Sequence, residues 1–259
     1  MTDSPGQGSI VAPAYSVRES AGARHVRLIM TVSLGLEVVV PRGFDRREIP
    51  AILERKARWI ERAAARAEAR RAHVATGSPG SLPDKLGLQC LGTEWRVEYT
   101  AAAAGAETRT GATVREKPGR VLLVSGDIGD AATCHAALRR WVGRKARTTI
   151  VPRLVVLAAE HGFVVGPISV RAQRTRWASC TRRGAISLNM KLLFLPPEVT
   201  DYVLLHELCH TARMDHSPSF WALVERHDPH YRVKNRRLRE AWMSVPAWLG
   251  AGPTGHGVE

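Results

Sequence analysis

Val203-Leu204-Leu205-His206-Glu207-Leu208-Cys209-His210 is the stretch around which the rest of the chain is arranged, and a further histidine, His216, follows six residues later. In an α-helix, positions four apart lie one turn apart on the same face. His206 and His210 therefore aim two imidazoles at one point, with Glu207 on the adjoining edge. Leu204, Leu205 and Leu208 give the helix an apolar side whose burial would hold those imidazoles rigid. This is the His-Glu-x-x-His (HExxH) spacing, in which neutral imidazoles leave a bound metal a strong Lewis acid. The carboxylate, beside the ion without ligating it, takes a proton from metal-activated water. The residue types predict a zinc-dependent metallohydrolase with one Zn2+ as cofactor and Glu207 as the catalytic general base.

A catalytic zinc keeps three protein ligands and one open position. His216 stands just past the expected helix end and immediately before Ser217, which reads as the cap of the next helix, so the chain can fold back and present it. The spacing of His206, His210 and His216 equals that of metzincins. Arg213, however, stands where metzincins carry the glycine of their turn, and no Met-turn is recognisable; Asp215 is the residue able to supply a tight turn instead. The alternatives for the third ligand are Glu225, one helix away as in gluzincins, and His227, His230 and Glu240. His216 needs the least chain between ligands and is favoured for that reason. His25, His73, His135, His161 and His256 stand outside any constellation and read as structural.

Composition bounds the class. At 259 residues, with 44% hydrophobic and 24% charged content, the chain can bury a full core. Its formal net charge of +14 favours anionic partners such as nucleotides, nucleic acid or acidic peptides. Eleven basic residues fall between Leu138 and Arg183 (Arg139, Arg140, Arg144, Lys145, Arg147, Arg153, Arg171, Arg174, Arg176, Arg182 and Arg183), against Glu160 as the only acid. A charge run of this kind reads mostly as a solvated face, but its position just ahead of the histidine motif also suits an electropositive approach to it. The four cysteines, Cys90, Cys134, Cys180 and Cys209, form no C-x-x-C pair, which argues against a cysteine zinc site or a disulfide framework. Residues 1–13 hold no continuous apolar core, so no signal peptide is expected. No apolar run is long enough to span a membrane. A cytoplasmic location is the expectation.

Along the chain, residues 1–13 read as a disordered lead-in. Tyr15 to Val40 carries strand signals, with a turn at Ser33-Leu34-Gly35 and a stop at Pro41-Arg42-Gly43. Asp45 and Glu48 resemble a capping box for one long helix to about Arg71, whose Ala/Arg/Glu-rich second half should project into solvent. Thr76 to Pro83 is a Gly/Ser/Pro connector. Strands are expected at Leu88–Leu91, Trp95–Tyr99 and Val121–Val124, with Ala101–Gly119 a loop. A helix from Ala131 should kink or restart at Pro152 and end near His161-Gly162. Ile168–Gln173 and Gly184–Met190 read as a strand pair joined by Arg174–Cys180 and a turn. The motif helix opens at Pro196-Pro197 and runs to about Met214. Ser217 and Pro218 start a helix to Arg226, and Tyr231 to Trp242 forms a last basic one. The expected domains are a β-rich lobe with one helix (14–125), a catalytic domain (126–245) and a flexible tail (246–259).

Trp177-Ala178-Ser179-Cys180, Ile186-Ser187-Leu188-Asn189, His206-Glu207-Leu208-Cys209-His210 and His216-Ser217-Pro218-Ser219-Phe220-Trp221, in that order, resemble the YgjP-like metallopeptidase-domain family, a relative of the SprT-like and WLM zinc-peptidase groups. Pro41-Arg42-Gly43 and Lys56/Trp59-Ile60 extend the likeness to roughly residues 15–243. The resemblance implies an α+β fold: a zincin-like C-terminal domain with the HExxH active-site helix beside a small mixed sheet. It also implies metal ligands at His206, His210 and His216 and catalysis by Glu207. Ala178 departs from the glycine usual after the tryptophan, which bears on the width of a substrate edge strand.

Three functions follow. The leading one is hydrolysis of peptide bonds in a peptide or protein substrate. The extended substrate would pair with the Arg174–Cys180 edge, and Arg174, Arg176, Trp177 and Asn189 would be substrate-binding. The second is metal-dependent cleavage of a nucleoside triphosphate of the UTP pyrophosphatase type, an activity linked to this group, although no Gly-rich phosphate loop or multi-carboxylate magnesium site is present. The third is a DNA-associated SprT-like protease or a nucleic-acid-binding module, supported by charge alone.

Overall fold

A computed structural model describes residues 14–31, 35–75, 81–101, 111–174 and 176–250. The chain divides between His73 and Val74 into two compact units. In the first, β1 (Tyr15–Ser20), β2 (Arg27–Thr31) and β3 (Gly35–Pro41) form a mixed sheet in the order β1-β3-β2. Strand β3 runs parallel to β1 and antiparallel to β2. Leu36, Val38 and Val40 share one face by the two-residue period of a strand. With Met30 they meet Ile49, Leu53, Ile60, Ala63 and Ala67 from two helices, α1 (Ile49–Arg55) and α2 (Ala57–Ala75). Of the expected turn, Ser33 and Leu34 lie outside the described residues, and Gly35, at φ +72°, opens β3.

One unbroken helix was expected after Asp45; the chain instead makes three pieces. The Asp45 side chain accepts the Arg47 N–H at 2.9 Å and caps a 3₁₀ turn, Arg46–Glu48. Pro50 then falls in the first turn of α1, where a missing N–H costs nothing. Lys56, at φ −106° and ψ 10°, separates α1 from α2. The alanine-rich half of α2 is also not wholly solvated, because Ala63 and Ala67 are buried.

The second unit begins with the mixed sheet β4-β5-β7-β6, made of β4 (Lys85–Leu88), β5 (Thr93–Ala101), β6 (Ala112–Lys117) and β7 (Val121–Gly126). Two of these strands, β5 and β7, contain the expected ones; where a strand was expected at Leu88–Leu91 the chain makes a 3₁₀ turn, Gln89–Leu91, and β4 precedes it. The fourth, β6, lies where a loop was expected: its sequence, ATVREK, is mostly polar because five of its six residues face outward or half-outward. Residues 102–110 of that expected loop, like 76–80 of the connector, lie outside the described residues. The 125/126 boundary falls inside this unit, since Leu86, Leu88, Trp95, Val97, Leu122 and Val124 share one core with the helices that follow.

Those helices begin with α3 (Ala131–His161), capped by Asp130, whose side chain accepts the Ala132 and Thr133 N–H groups, and ended by Gly162 at φ 73°. No restart occurs at Pro152: α3 runs through it without a break. Its fully buried stripe (Leu138, Trp141, Val142, Ile150, Leu154, Leu157) supplies the apolar burial that outweighs one lost backbone hydrogen bond. Next come β8 (Ile168–Arg171), β9 (Ala178–Cys180) and β10 (Ile186–Asn189) in the order β8-β10-β9. β10 is parallel to β8 and antiparallel to β9. The chain ends with α4 (Pro197–Ala212), α5 (Pro218–His227) and α6 (Tyr231–Glu240). α4 packs against α3, β9, α5 and α6.

Part of the expected flexible tail belongs to this core. Leu249 is buried, Trp248 stacks on His135 with ring centroids 5.5 Å apart, and Lys191 Nζ donates to the Gly250 carbonyl at 2.9 Å. Residues 251–259 lie outside the described residues. No helix among the described residues is long and apolar enough to cross a membrane.

Because Pro152 is exposed and only tolerated by α3, Pro152→Ala should restore a backbone donor and stabilise the second unit by roughly 1–3 kcal/mol. Urea unfolding measures this; an unchanged or lowered midpoint would show that the proline serves the helix.

Candidate active site

Helix α4 is buried almost all round: Val199, Tyr202, Val203, Leu204, Leu208 and Cys209 are fully inside, and so is His206. A helix packed on every side fixes its side-chain directions, which is what two imidazoles one turn apart need. His206 and His210 project from it with Nε2 atoms 3.1 Å apart. His216, more exposed, brings its Nε2 to 3.2 Å from that of His206. Candidate ligand atoms of the three residues all lie within 4.8 Å of one another, and no other group of three or more His, Cys, Asp or Glu among the described residues converges this way.

The return of His216 depends on the residue that sequence comparison with metzincins made suspect. Arg213 ends α4 in an extended conformation, φ −144° and ψ 115°. A negative φ of this kind suits any residue, so no glycine is required there. The Arg213 carbonyl also lies 3.0 Å from His210 Nδ1. A carbonyl only accepts, so Nδ1 carries the proton and the Nε2 lone pair faces the other imidazoles. Asp215 contributes differently from expectation: it accepts the Ser217 hydroxyl at 2.8 Å. Ser217 consequently makes no side-chain cap, and α5 starts on Pro218 alone.

Beneath the cluster lies Phe220, fully buried on the first turns of α5. Its ring centroid is 5.0, 4.4 and 4.9 Å from those of His206, His210 and His216. Trp221 flanks His206 and His216, each at 5.7 Å, and stacks on Tyr231 at 5.4 Å. Neither aromatic was singled out by residue chemistry, although both stand in the His216–Trp221 segment that carries the family resemblance.

The three imidazoles fit a metal ion. Tetrahedral zinc with Zn–N bonds of about 2.0–2.1 Å sets its ligand nitrogens about 3.3 Å apart, close to the 3.1 and 3.2 Å found. One N–H on His206 Nε2 could satisfy one neighbouring lone pair, whereas a cation satisfies all three. The rival residues lie elsewhere. Glu225 is ion-paired with Arg232, His227 Nδ1 meets His161 Nδ1 at 3.0 Å, and His230 is exposed. The Glu240 side chain lies outside the described residues.

Glu207 is 1% exposed, and its Oε2 has no hydrogen-bond partner among the described residues. Burial pushes its carboxyl up to about 8, with the charge of Arg176 pulling it back. A nearby divalent cation would act in the same direction as Arg176. Burial likewise holds His210 below the usual imidazole range, keeping it neutral. Arg174 and Arg176 are both exposed.

Two expected substrate contacts are corrected. Trp177 is buried, its indole stacked on Trp242 with centroids 3.8 Å apart. Asn189 is fully buried and its hydrogen bonds are spent internally. Its Nδ2 donates to the Gln173 and Arg176 carbonyls at 2.9 and 2.7 Å, and its Oδ1 accepts the Lys191 N–H at 3.1 Å. Its backbone N–H donates to the Trp177 carbonyl at 2.8 Å. Asn189 thus ties down the segment leading into β9 and does not face a ligand. Ala178 turns its methyl into the core, so the departure from glycine is absorbed there.

A family model described as YgjP-like, metallopeptidase domain, matches residues 24–241. The chain belongs to this family. Membership makes it a metallopeptidase, with a metal ion and a peptide or protein substrate. Among solved structures, the metallopeptidase zymogen of Pyrococcus abyssi abylysin matches at 26% identity over 34% of this chain and 90% of that chain. Its TM-score of 0.32 is too low to argue from. No curated protein matches.

Phe220→Ala should cost about 3–5 kcal/mol by leaving a cavity under the imidazoles, and should weaken divalent-ion binding at the same time. Unfolding of metal-free protein and a zinc titration measure the two effects. Unaltered zinc affinity would mean that the cluster does not depend on this ring.

Proposed function

We propose that the protein is a zinc-dependent peptidase of the HExxH…H type, with a zincin-like arrangement in its second unit. His206, His210 and His216 hold one Zn2+ and Glu207 is the general base. The observation that carries this reading is the convergence of the three Nε2 atoms beside a buried carboxylate. When bound, the ion supplies Lewis acidity, polarising the scissile carbonyl and acidifying water.

The chain's own residues supply the rest. Glu207 Oε2 takes a proton from the attacking water and passes it to the departing amine, the transfer a carboxylate poised near neutrality performs best. Oε2 makes no competing hydrogen bond. Arg176, whose charge reaches Glu207, favours negative charge at the site. Strand β9 is the outer strand of its sheet and packs on α4, so its unpaired backbone groups can take an extended peptide by strand addition. The phosphate-cleaving alternative gains little, because no carboxylate cluster suited to Mg2+ occurs among the described residues.

Zinc-loaded protein and its Glu207→Gln variant should be offered unfolded protein and nucleoside triphosphates. Proteolysis should fall about 10²–10⁴-fold in the variant with zinc content unchanged. Pyrophosphate release that depends on Glu207, without proteolysis, would replace the peptidase reading.

A further inference from the structure

Resting on the peptidase reading, we propose that the segment after α6, residues 241–250, is a strap that positions the substrate strand β9, with Trp242 as the positioning residue that acts on β9 through Trp177. The segment makes two 3₁₀ turns, Ala241–Ser244 and Ala247–Leu249, the first buried at Ala241 and Trp242 and the second at Leu249. At its far end three successive residues are held. The Trp248 carbonyl accepts Arg139 Nη2 at 2.7 Å, and the Trp248 ring stacks on His135, one helical turn before Arg139 on α3. Leu249 is buried, and the Gly250 carbonyl accepts Lys191 Nζ at 2.9 Å. Lys191 is itself 1% exposed, in the 3₁₀ turn Met190–Phe194 that follows β10. A buried ammonium needs partners that replace its water. One is the Gly250 carbonyl, and another is the Trp242 ring, whose centre lies 5.3 Å from the same Nζ. One cation thus touches both ends of the strap.

The near end reaches the substrate strand. Trp242 is buried and stacks on Trp177 with ring centroids 3.8 Å apart and planes 20° from parallel. Trp177 immediately precedes β9, which is only three residues long and pairs with β10 through Ala178–Leu188, Ser179–Ser187 and Cys180–Ile186. So short an edge strand gains little fixity from its own ladder, and its place depends on how the chain enters it. Asn189 secures that entry through the backbone: its N–H donates to the Trp177 carbonyl and its side chain holds the Arg176 carbonyl. Trp242 secures it through the indole, which those backbone hydrogen bonds do not restrain. The metal cluster has separate supports. The rings that line the imidazoles are Tyr202, Phe220 and Trp221, from α4 and α5. Loosening Trp242 should therefore shift the strand that takes the peptide while leaving the three histidines in place.

The test uses full-length, zinc-loaded Trp242→Leu protein, which loses the stack but keeps an apolar group in the core, beside the conservative variant Trp242→Phe. For a fluorogenic peptide, Trp242→Leu should raise KM roughly 10-fold, with kcat within about twofold of the wild type and zinc content unchanged. Trp242→Phe should restore most of the loss. Lys191→Met releases both ends of the strap without emptying the core; it should move KM the same way, and it replaces the leucine variant if that one fails to fold. Val124→Ala, a cavity in the same core on β7, should lower the urea midpoint and leave KM unchanged. Hydrogen exchange across residues 177–181 should quicken in Trp242→Leu, with exchange in α4 unaltered, a readout free of turnover. An equal KM in Trp242→Leu and Val124→Ala would overturn the positioning role and leave the peptidase reading standing. Zinc lost together with activity would assign the strap to the metal cluster and overturn it as well. If the wild type cleaves no peptide, the peptidase reading fails; the hold of the strap on β9 then stands if exchange at 177–181 quickens and falls if it does not.

Discussion

Bringing three neutral imidazoles to one point is the constraint on which this structure depends. Unoccupied, such a cluster crowds lone pairs together; occupied by a divalent cation, it is strongly favourable. Geometry of this kind cannot rest on a mobile helix. α4 is accordingly buried on nearly all sides, and Phe220 closes the cluster from beneath. The Arg213 carbonyl fixes the tautomer of His210 and, by its extended backbone, lets His216 return. One short segment therefore sets the tautomer of one imidazole and the path of the chain to the next.

The same burial that fixes the imidazoles shapes the neighbouring carboxylate. Glu207 sits inside with one carboxylate oxygen lacking a hydrogen-bond partner among the described residues. An isolated buried carboxylate is costly unless it serves a purpose. Here the charge of Arg176 is a compensating influence, and on the proposed reading a cation held by the imidazoles would add to it. On the proposed reading, the stability given up by burying Glu207 provides a proton acceptor.

A second layer of support is polar. Asn189 uses both amide hydrogens, its carbonyl and its backbone N–H to hold the approach to β9. Trp177 adds the apolar counterpart by stacking on Trp242. Neither group needs to touch a substrate to matter for one, because together they hold the outer strand against α4 and the backbone of Arg176, whose charge acts on Glu207.

Local spacing determined what depends on local geometry. The four-residue step from His206 to His210, the proline starts at Pro197 and Pro218, and the Gly162 stop follow from the helical period and from backbone chemistry, and they were legible without coordinates. The favouring of His216 over Glu225 and His227 rested on the same kind of argument, that a short return is the easiest to close, and the fold does bring its imidazole to those of His206 and His210. What depends on distant partners was not legible. β6 is too polar to announce itself as a strand, and α3 runs through Pro152 because its buried stripe compensates for the lost hydrogen bond. Ala63 and Ala67 look like surface alanines until Leu36 and its neighbours are placed against them. Trp177 and Asn189 are residue types that serve equally well at a binding surface or in a core. Only the packing of Trp242 and the carbonyls of Gln173 and Arg176 decided between those roles, since burial is a property of the assembled fold and leaves no mark on a side chain's own chemistry.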